Sequence, residues 1–444
     1  MPVPVRPVTA VTAPTDGSVA SIRSLQERAA DLFPPASARH TDLAVVAASG
    51  ATLWTEDGRE VLDFASGVAV TNIGHGHPRV LAAARGQLDQ LLHAGHNIAV
   101  YPSYVDLAER LVGLVGPGHK VFYGNSGAEV LEAGIKLALR TSGRPGLIAF
   151  KRSFHGRTIA TTALSASSAG YRAGYLGSLP AVHHVDFPAP FAHGRSEHEE
   201  VRRCLAELDD LFKLVLPADE VAAIVVEPFQ GEGGYLPAPT EFLEGLRERA
   251  DRHDIALVYD EIQSGFGRTG TMFAYEHSGV APDVLVLAKG IANGFPLSVM
   301  MARGDLMDQW PAGAHGGTFG GNPVACAAAL AVLDVLEESA LSNARRVGAQ
   351  LMTGLDHIRT ALPLRSDLRG AGVMIGLELR HQDGRPAGDV VAETRRAALA
   401  EGLLVLSCGT DKNVLRLMPP TTLTHGEAVT ALAILDRALG KAVA

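Results

Sequence analysis

Between about residues 105 and 330 the chain alternates two hydrophobic patterns. Short stretches are apolar on consecutive positions: HKVFYG (119–124), GLIAF (146–150), AVHHVDF (181–187), VAAIVVEP (221–228), IALVYDE (255–261) and DVLVLAKG (283–290). Runs of that kind predict strands covered on both faces of a parallel sheet. Between them, VLEAGIKLALR (130–140) and EFLEGLRERADRHD (241–254) space apolar residues at helical intervals against charged ones. The alternation predicts an α/β fold with a mostly parallel sheet flanked by helices. GATLWTEDGREVLDF (50–64) predicts a hairpin turning at EDGR, and beyond residue 330 long alanine-rich helices such as PVACAAALAVLDVLEES (323–339) give way to shorter mixed segments. The expected organisation is a loose tail over 1–20, an N-terminal segment over 21–75, a large domain over 76–329 and a smaller α+β domain over 330–444. The N-terminal segment is expected to pack with the small domain.

Composition narrows the function. At 444 residues, with 47% hydrophobic and 20% charged residues, the chain has the balance of an ordinary globular protein. A net charge of −9 without a basic cluster argues against a nucleic-acid partner. Cys204, Cys326 and Cys408 show no paired spacing, which predicts neither a disulfide framework nor a zinc site and suits a reducing, cytoplasmic compartment. The first twenty residues lack the apolar core of a signal peptide, and no apolar run is long enough to cross a membrane. HGHP and the pair His183 and His184 lack a metal-ligand pattern. The glycines of RGAGVMIGLEL (369–379) miss the dinucleotide spacing, so this stretch predicts a turn and strand.

In an open α/β sheet the ligand sits beyond the carboxyl ends of the strands, so the residues that directly follow apolar runs carry the chemistry. YGNSGAE leads from a strand into a helix and offers either an ordinary N-cap or a phosphate site. Asp260 ends the fifth run and could serve as a surface charge, a metal ligand or the partner of a cationic ring. Lys289 ends the sixth run, 29 residues later, among glycines and no other charge. Burial there favours the uncharged amine. Phosphate cradle, carboxylate and lysine together match the needs of pyridoxal phosphate: a Schiff-base amine, a partner for the pyridine nitrogen and an anion site.

Eight ordered segments, DFASGVAVTNIGHGHPRV, NSGAE, FHGRT, EPFQGEGG, YDEIQSGFGRTG, LAKGIANGFP, GGTFGGNPVA and NVLRLMPP, resemble the class III aminotransferases from about residue 40 to 437. These are fold-type I pyridoxal-phosphate enzymes. The resemblance implies Lys289 as Schiff-base lysine and general base, Asp260 at the pyridine nitrogen and Gln263 by the ring hydroxyl. It implies Ser126, Gly127 and Ala128 at the phosphate and Phe154 on the ring face, with His155 and Glu227 also in the cofactor site. Thr318 would reach the phosphate of a neighbouring subunit, which implies a homodimer or dimer of dimers with shared sites. Ala128 stands where many members have a hydroxyl residue, and Phe154 where some have tyrosine.

For substrates the resemblance implies Arg157 for a distal carboxylate, Arg416 for an α-carboxylate, and Glu232 covering Arg416 when an ω-amine is bound. Val68 and LSCGTDKNVLR resemble the 4-aminobutyrate branch. The expected activity is transfer of an amino group from an ω-amino acid, 4-aminobutyrate foremost, to 2-oxoglutarate. Acetylornithine or ornithine transamination, a dialkylglycine-type decarboxylation, an epimerisation and an amino-sugar transamination are the alternatives on the same scaffold. A non-catalytic binding subunit would not need Lys289, Asp260, Glu232, Arg157 and Arg416 together.

Overall fold

The computed structural model describes residues 23–444, so the tail expected over 1–20 lies outside the described residues. Each of the six apolar runs forms a strand: β1 (His119–Gly124), β2 (Gly146–Phe150), β3 (Val182–Val185), β4 (Val221–Val226), β5 (Ala256–Asp260) and β6 (Val284–Leu287). A seventh, β7 (Ser298–Arg303), completes a sheet of order β1-β7-β6-β5-β4-β2-β3. The strand β7 runs antiparallel to both of its neighbours, and the other six are parallel to one another. Strands β2, β4 and β6 are buried at every position, which is why they read as unbroken apolar runs.

Side-chain alternation divides the sheet between two cores. Ile224, Val226, Leu257, Tyr259, Leu285 and Leu287 face one side. Ala223, Val225, Val258, Val284 and Val286 face the other, against the helix Gly127–Ser142. That helix starts where Ser126 and Glu129 close a capping box and stops at Gly143, whose φ of +71° suits a residue without a side chain. A β-carbon on Gly134 would lie 3.3 Å from Val284, so the helix seats closely on the sheet.

A further core gathers Val347, Leu351 and Leu355 with Ile375, Leu377, Leu415 and Leu417. It lies on a four-stranded sheet in which the strands Arg365–Ala371, Met374–Arg380, Val414–Leu417 and Leu406–Cys408 are neighbours in that order. Residues Ala325 to Ala340 belong to the first core and Val347 onward to this one. The boundary drawn at residues 329 and 330 falls inside the helix Pro323–Val335, which is buried along nearly its whole length. Thr52–Thr55 and Glu60–Asp63 form the hairpin expected around EDGR, and Leu403–Leu404 adds to it in parallel. Among the described residues no helix is long and apolar enough to cross a membrane.

Candidate active site

A cavity of about 320 Å³ opens at the carboxyl ends of β5 and β6. Asp260 closes β5 opposite Val286 of β6, and Lys289 follows three residues beyond Val286, so both reach one crevice. The lysine's backbone is left-handed (φ +47°), as is that of Asn293 (φ +48°). Such strain persists where surroundings impose it. Here Asn293 Oδ1 accepts from Ile73 N at 2.9 Å and its Nδ2 donates to Gly74 O at 2.8 Å, pinning the loop that carries the lysine.

Ser126, Gly127, Ala128, Phe154, His155, Glu227, Glu232, Asp260, Gln263 and Lys289 all line this cavity. Burial drives the Lys289 pKa down despite the Glu232 and Asp260 carboxylates, and Arg416 adds to the fall. His155 shares a 2.7 Å hydrogen bond between Nδ1 and Asp260 Oδ2, with both groups almost fully buried. Burial opposes a charge on His155, but Asp260 outweighs it with help from Glu227, and the imidazole pKa is raised. Glu227 accepts from Phe154 N and Gly231 N, each at 2.9 Å, and is pushed up to about 7, chiefly by burial.

Glu232 meets Arg416 in an ion pair whose arginine side chain is 1% exposed. Burial favours the neutral acid, yet Arg416 prevails and holds the Glu232 pKa below the usual carboxylate value. Of the pair, Glu232 borders the cavity and Arg416 stands behind it.

Three of the expected residues, Arg157, Thr318 and Val68, do not line this cavity. Arg157 is exposed, its guanidinium 4.3 Å from the centre of the Tyr171 ring. Thr318 is exposed and lines a separate cavity with Asn125, Glu129 and Thr158. Val68 packs on the apolar cluster of Leu53, Val61 and Met418, and Val70 borders the active cavity. The cause is local: Ser66, Gly67, Val68 and Ala69 have φ of +46°, +60°, +65° and +63°, a left-handed turn costing about 1–2 kcal/mol per non-glycine residue. Asp63 holds it by accepting from Ala65 N and Ser66 N at 2.8 Å, and Ser66 Oγ donates to Met418 O at 2.7 Å. Ile262, Phe295, Pro296 and Leu297 also line the cavity without having been singled out. The proline and glycines after Lys289 were the available signal.

Pyridoxal phosphate suits this wall on structural grounds. His155 Nε2 and Gln263 Oε1 are buried polar atoms without a protein partner, and a polar ligand in this cavity would satisfy them. The Gly127 and Ala128 amides belong to the first turn of a helix, where backbone donors lack intrahelical acceptors and favour an anion. No trio of His, Cys, Asp or Glu among the described residues is placed to hold a metal. A depressed lysine facing a carboxylate–imidazole pair across such a sheet marks a fold-type I pyridoxal-phosphate enzyme.

Comparison with known proteins narrows the class further. The family model of class-III aminotransferases matches residues 34–439, and the chain belongs to that family. It is 40% identical to the 5-aminovalerate aminotransferase DavT of Pseudomonas putida, over 93% of this chain and 97% of that one. With the 4-aminobutyrate aminotransferase GabT of Escherichia coli it shares 39% identity, over 95% and 99% of the two chains. An amine transaminase from an uncultivated Pseudomonas species, solved in its PLP-bound form, superposes with a TM-score of 0.85 at 31% identity, covering 98% of this chain and all of that one. The protein is a pyridoxal-phosphate-dependent aminotransferase acting on small-molecule amino donors and oxo-acid acceptors.

Proposed function

We propose that the protein moves the amino group of an ω-amino acid, 4-aminobutyrate or a near homologue such as 5-aminovalerate, to 2-oxoglutarate. The products are a semialdehyde and glutamate. The observation that carries this reading is the ion pair of buried Arg416 with partly buried Glu232, which lines the cavity together with Lys289. A buried guanidinium without a counter-charge is costly, and Glu232 supplies one while the bound donor has no α-carboxylate. When glutamate binds, its α-carboxylate takes the fork of Arg416 and Glu232 turns away. One cavity then serves two substrate shapes, in agreement with relatives named for 4-aminobutyrate and 5-aminovalerate.

Bound pyridoxal phosphate supplies an aldehyde carbon for the amino group and a ring that draws electron density from the substrate carbon. With the cofactor bound, Lys289 Nζ, favoured in its amine form, would accept the proton from the substrate carbon that bears nitrogen and hand it back, acting as general base and then general acid. Asp260, oriented by His155, would hold a proton on the ring nitrogen. Gln263 would serve the ring hydroxyl, Phe154 would cover the ring face, and Ser126, Gly127 and Ala128 would take the phosphate. Glu227 holds the Phe154 and Gly231 amides in place. Val70 lines the apolar wall of the cavity, and Arg157 would leave the Tyr171 ring to take the distal carboxylate of either substrate.

The active unit in this reading is a homodimer. Leu92, Ile98, Val100 and Phe319 are 60%, 84%, 75% and 63% exposed, an apolar surface beside Thr318 that a second copy would cover. Thr318 then reaches the phosphate of the partner's cofactor. Three buried, unpaired cysteines fit a cytoplasmic setting. Steady-state assays with 2-oxoglutarate and 4-aminobutyrate, 5-aminovalerate, N-acetylornithine or ornithine test the reading. The highest kcat/KM is expected for an ω-amino acid. A preference for N-acetylornithine, or faster CO2 release or racemisation, contradicts it.

A further inference from the structure

Three residues form a row across the four-stranded sheet. Arg369 pairs with Gly376 on the next strand, and Gly376 pairs with Arg416 on the one after. Directly opposed residues share a face, so two arginines flank a position without a side chain. The loop Gly231–Tyr235, which carries Glu232, lies in that notch. A β-carbon on Gly376 would stand 2.9 Å from Tyr235 Cβ and 3.4 Å from Gly234 O.

The two arginines grip different parts of the loop. Arg416 takes the Glu232 side chain. Arg369 takes the backbone, donating from Nη2 to Gly234 O at 2.6 Å and from Nε to Gly234 O and Tyr235 O, each at 3.1 Å. Its remaining donors reach Asp367 at 2.5 Å and Glu378 at 2.9 Å. Glu378 is itself held by Arg380 at 2.9 Å, so the guanidinium is fixed on its own side. Gly409 N adds a 2.9 Å bond to Glu232 O. The loop needs such support, because Tyr235 has a left-handed backbone (φ +52°) and a β-carbon on Gly233 would press to 2.7 Å from Arg152 O.

We infer that Arg369 is a positioning residue for the substrate exchange at Arg416: by fixing the backbone around Glu232 it confines the motion to that side chain. The inference rests on the exchange proposed above. With the loop loosened, Glu232 neutralises Arg416 poorly, which penalises donors lacking an α-carboxylate. Glutamate brings its own carboxylate and is affected little.

The test uses the holoenzyme and the variants Arg369→Met, Arg369→Lys, Gly376→Ala, Glu232→Gln and the Glu232→Gln/Arg369→Met double. Single-turnover absorbance with 4-aminobutyrate or glutamate gives kcat/KM for each half-reaction. Calorimetric binding of the unreactive acids butyrate and glutarate reports the same preference without turnover. Arg369→Met is expected to lower the 4-aminobutyrate to glutamate ratio by about tenfold, as loss of a charge-assisted anchor implies. In the Glu232→Gln background it should change the ratio little. Gly376→Ala, which pushes on Tyr235 from below, should shift the ratio in the same direction. Together with Arg369→Lys it decides the matter if Arg369→Met does not fold. Equal loss in both half-reactions, or a full further shift in the double variant, overturns the inference. A ratio shifted by Glu232→Gln alone, with Arg369→Met and Gly376→Ala unchanged, also overturns it while sparing the exchange. An unchanged ratio in Glu232→Gln overturns the exchange and this inference with it.

Discussion

Arg416 and Glu232 meet across the join between the four-stranded sheet and the loop after β4, and of the two Glu232 faces the cavity. In the exchange proposed above, Glu232 is the cover and Arg416 the socket. Replacing Arg416 by alanine should reduce kcat/KM for glutamate by about a hundredfold or more, since a bidentate carboxylate contact is lost. The 4-aminobutyrate half-reaction should fall much less, because that donor leaves Arg416 covered. Equal damage to both half-reactions contradicts the role given to Arg416.

Gly231 faces the Gln263 amide so closely that a β-carbon would lie 2.8 Å from it. Gly231→Ala must displace Gln263 or the loop, an overpacking cost of about 1–3 kcal/mol. The expected result is weaker retention of pyridoxal phosphate on dialysis, read from the visible absorbance, with the fold intact by circular dichroism. Unaltered retention would show that Gln263 has no part in holding the ring.

Lys289 carries a pKa below its ordinary 10.5 in the folded chain. The unfolded chain thus binds more protons between the folded pKa and 10.5, and this group makes stability rise with pH across that interval. In cofactor-free protein, Lys289→Met should therefore be more stable than the parent at pH 7. The advantage should shrink as pH approaches 10.5. Urea unfolding at pH 7 and pH 10 measures it, and a gap that does not change with pH contradicts the burial argument.

The exposed Ile98 and Val100 belong to the surface assigned to a second copy. Substituting both by aspartate should convert the proposed homodimer to monomer in sedimentation and weaken cofactor retention, since Thr318 would then be unable to reach the neighbouring phosphate. A monomeric parent protein, or a dimer untouched by these charges, removes the shared-site reading.

Much of the site's frame was legible because a buried parallel strand announces itself as an apolar run and its chemistry follows at once. Asp260 and Lys289 are such residues. The strand β7 escaped notice because it lies antiparallel, reached from Lys289 through a short glycine- and proline-bearing loop without the crossover helix that marks parallel neighbours. Val70 was missed in favour of Val68 because a left-handed turn follows neither the helical nor the strand period, so pattern gives no direction for its side chains. The row of Arg369, Gly376 and Arg416 depends on strand register between residues far apart in sequence, which spacing alone does not encode.

Lys289 is the proposed point of covalent attachment for pyridoxal phosphate. Borohydride reduction of the holoenzyme, followed by proteolysis and mass spectrometry of the peptides, measures this directly. A pyridoxyl group on the peptide containing Lys289, absent from Lys289→Ala, is the predicted result. A label on another lysine, or no label on a coloured and active enzyme, contradicts it.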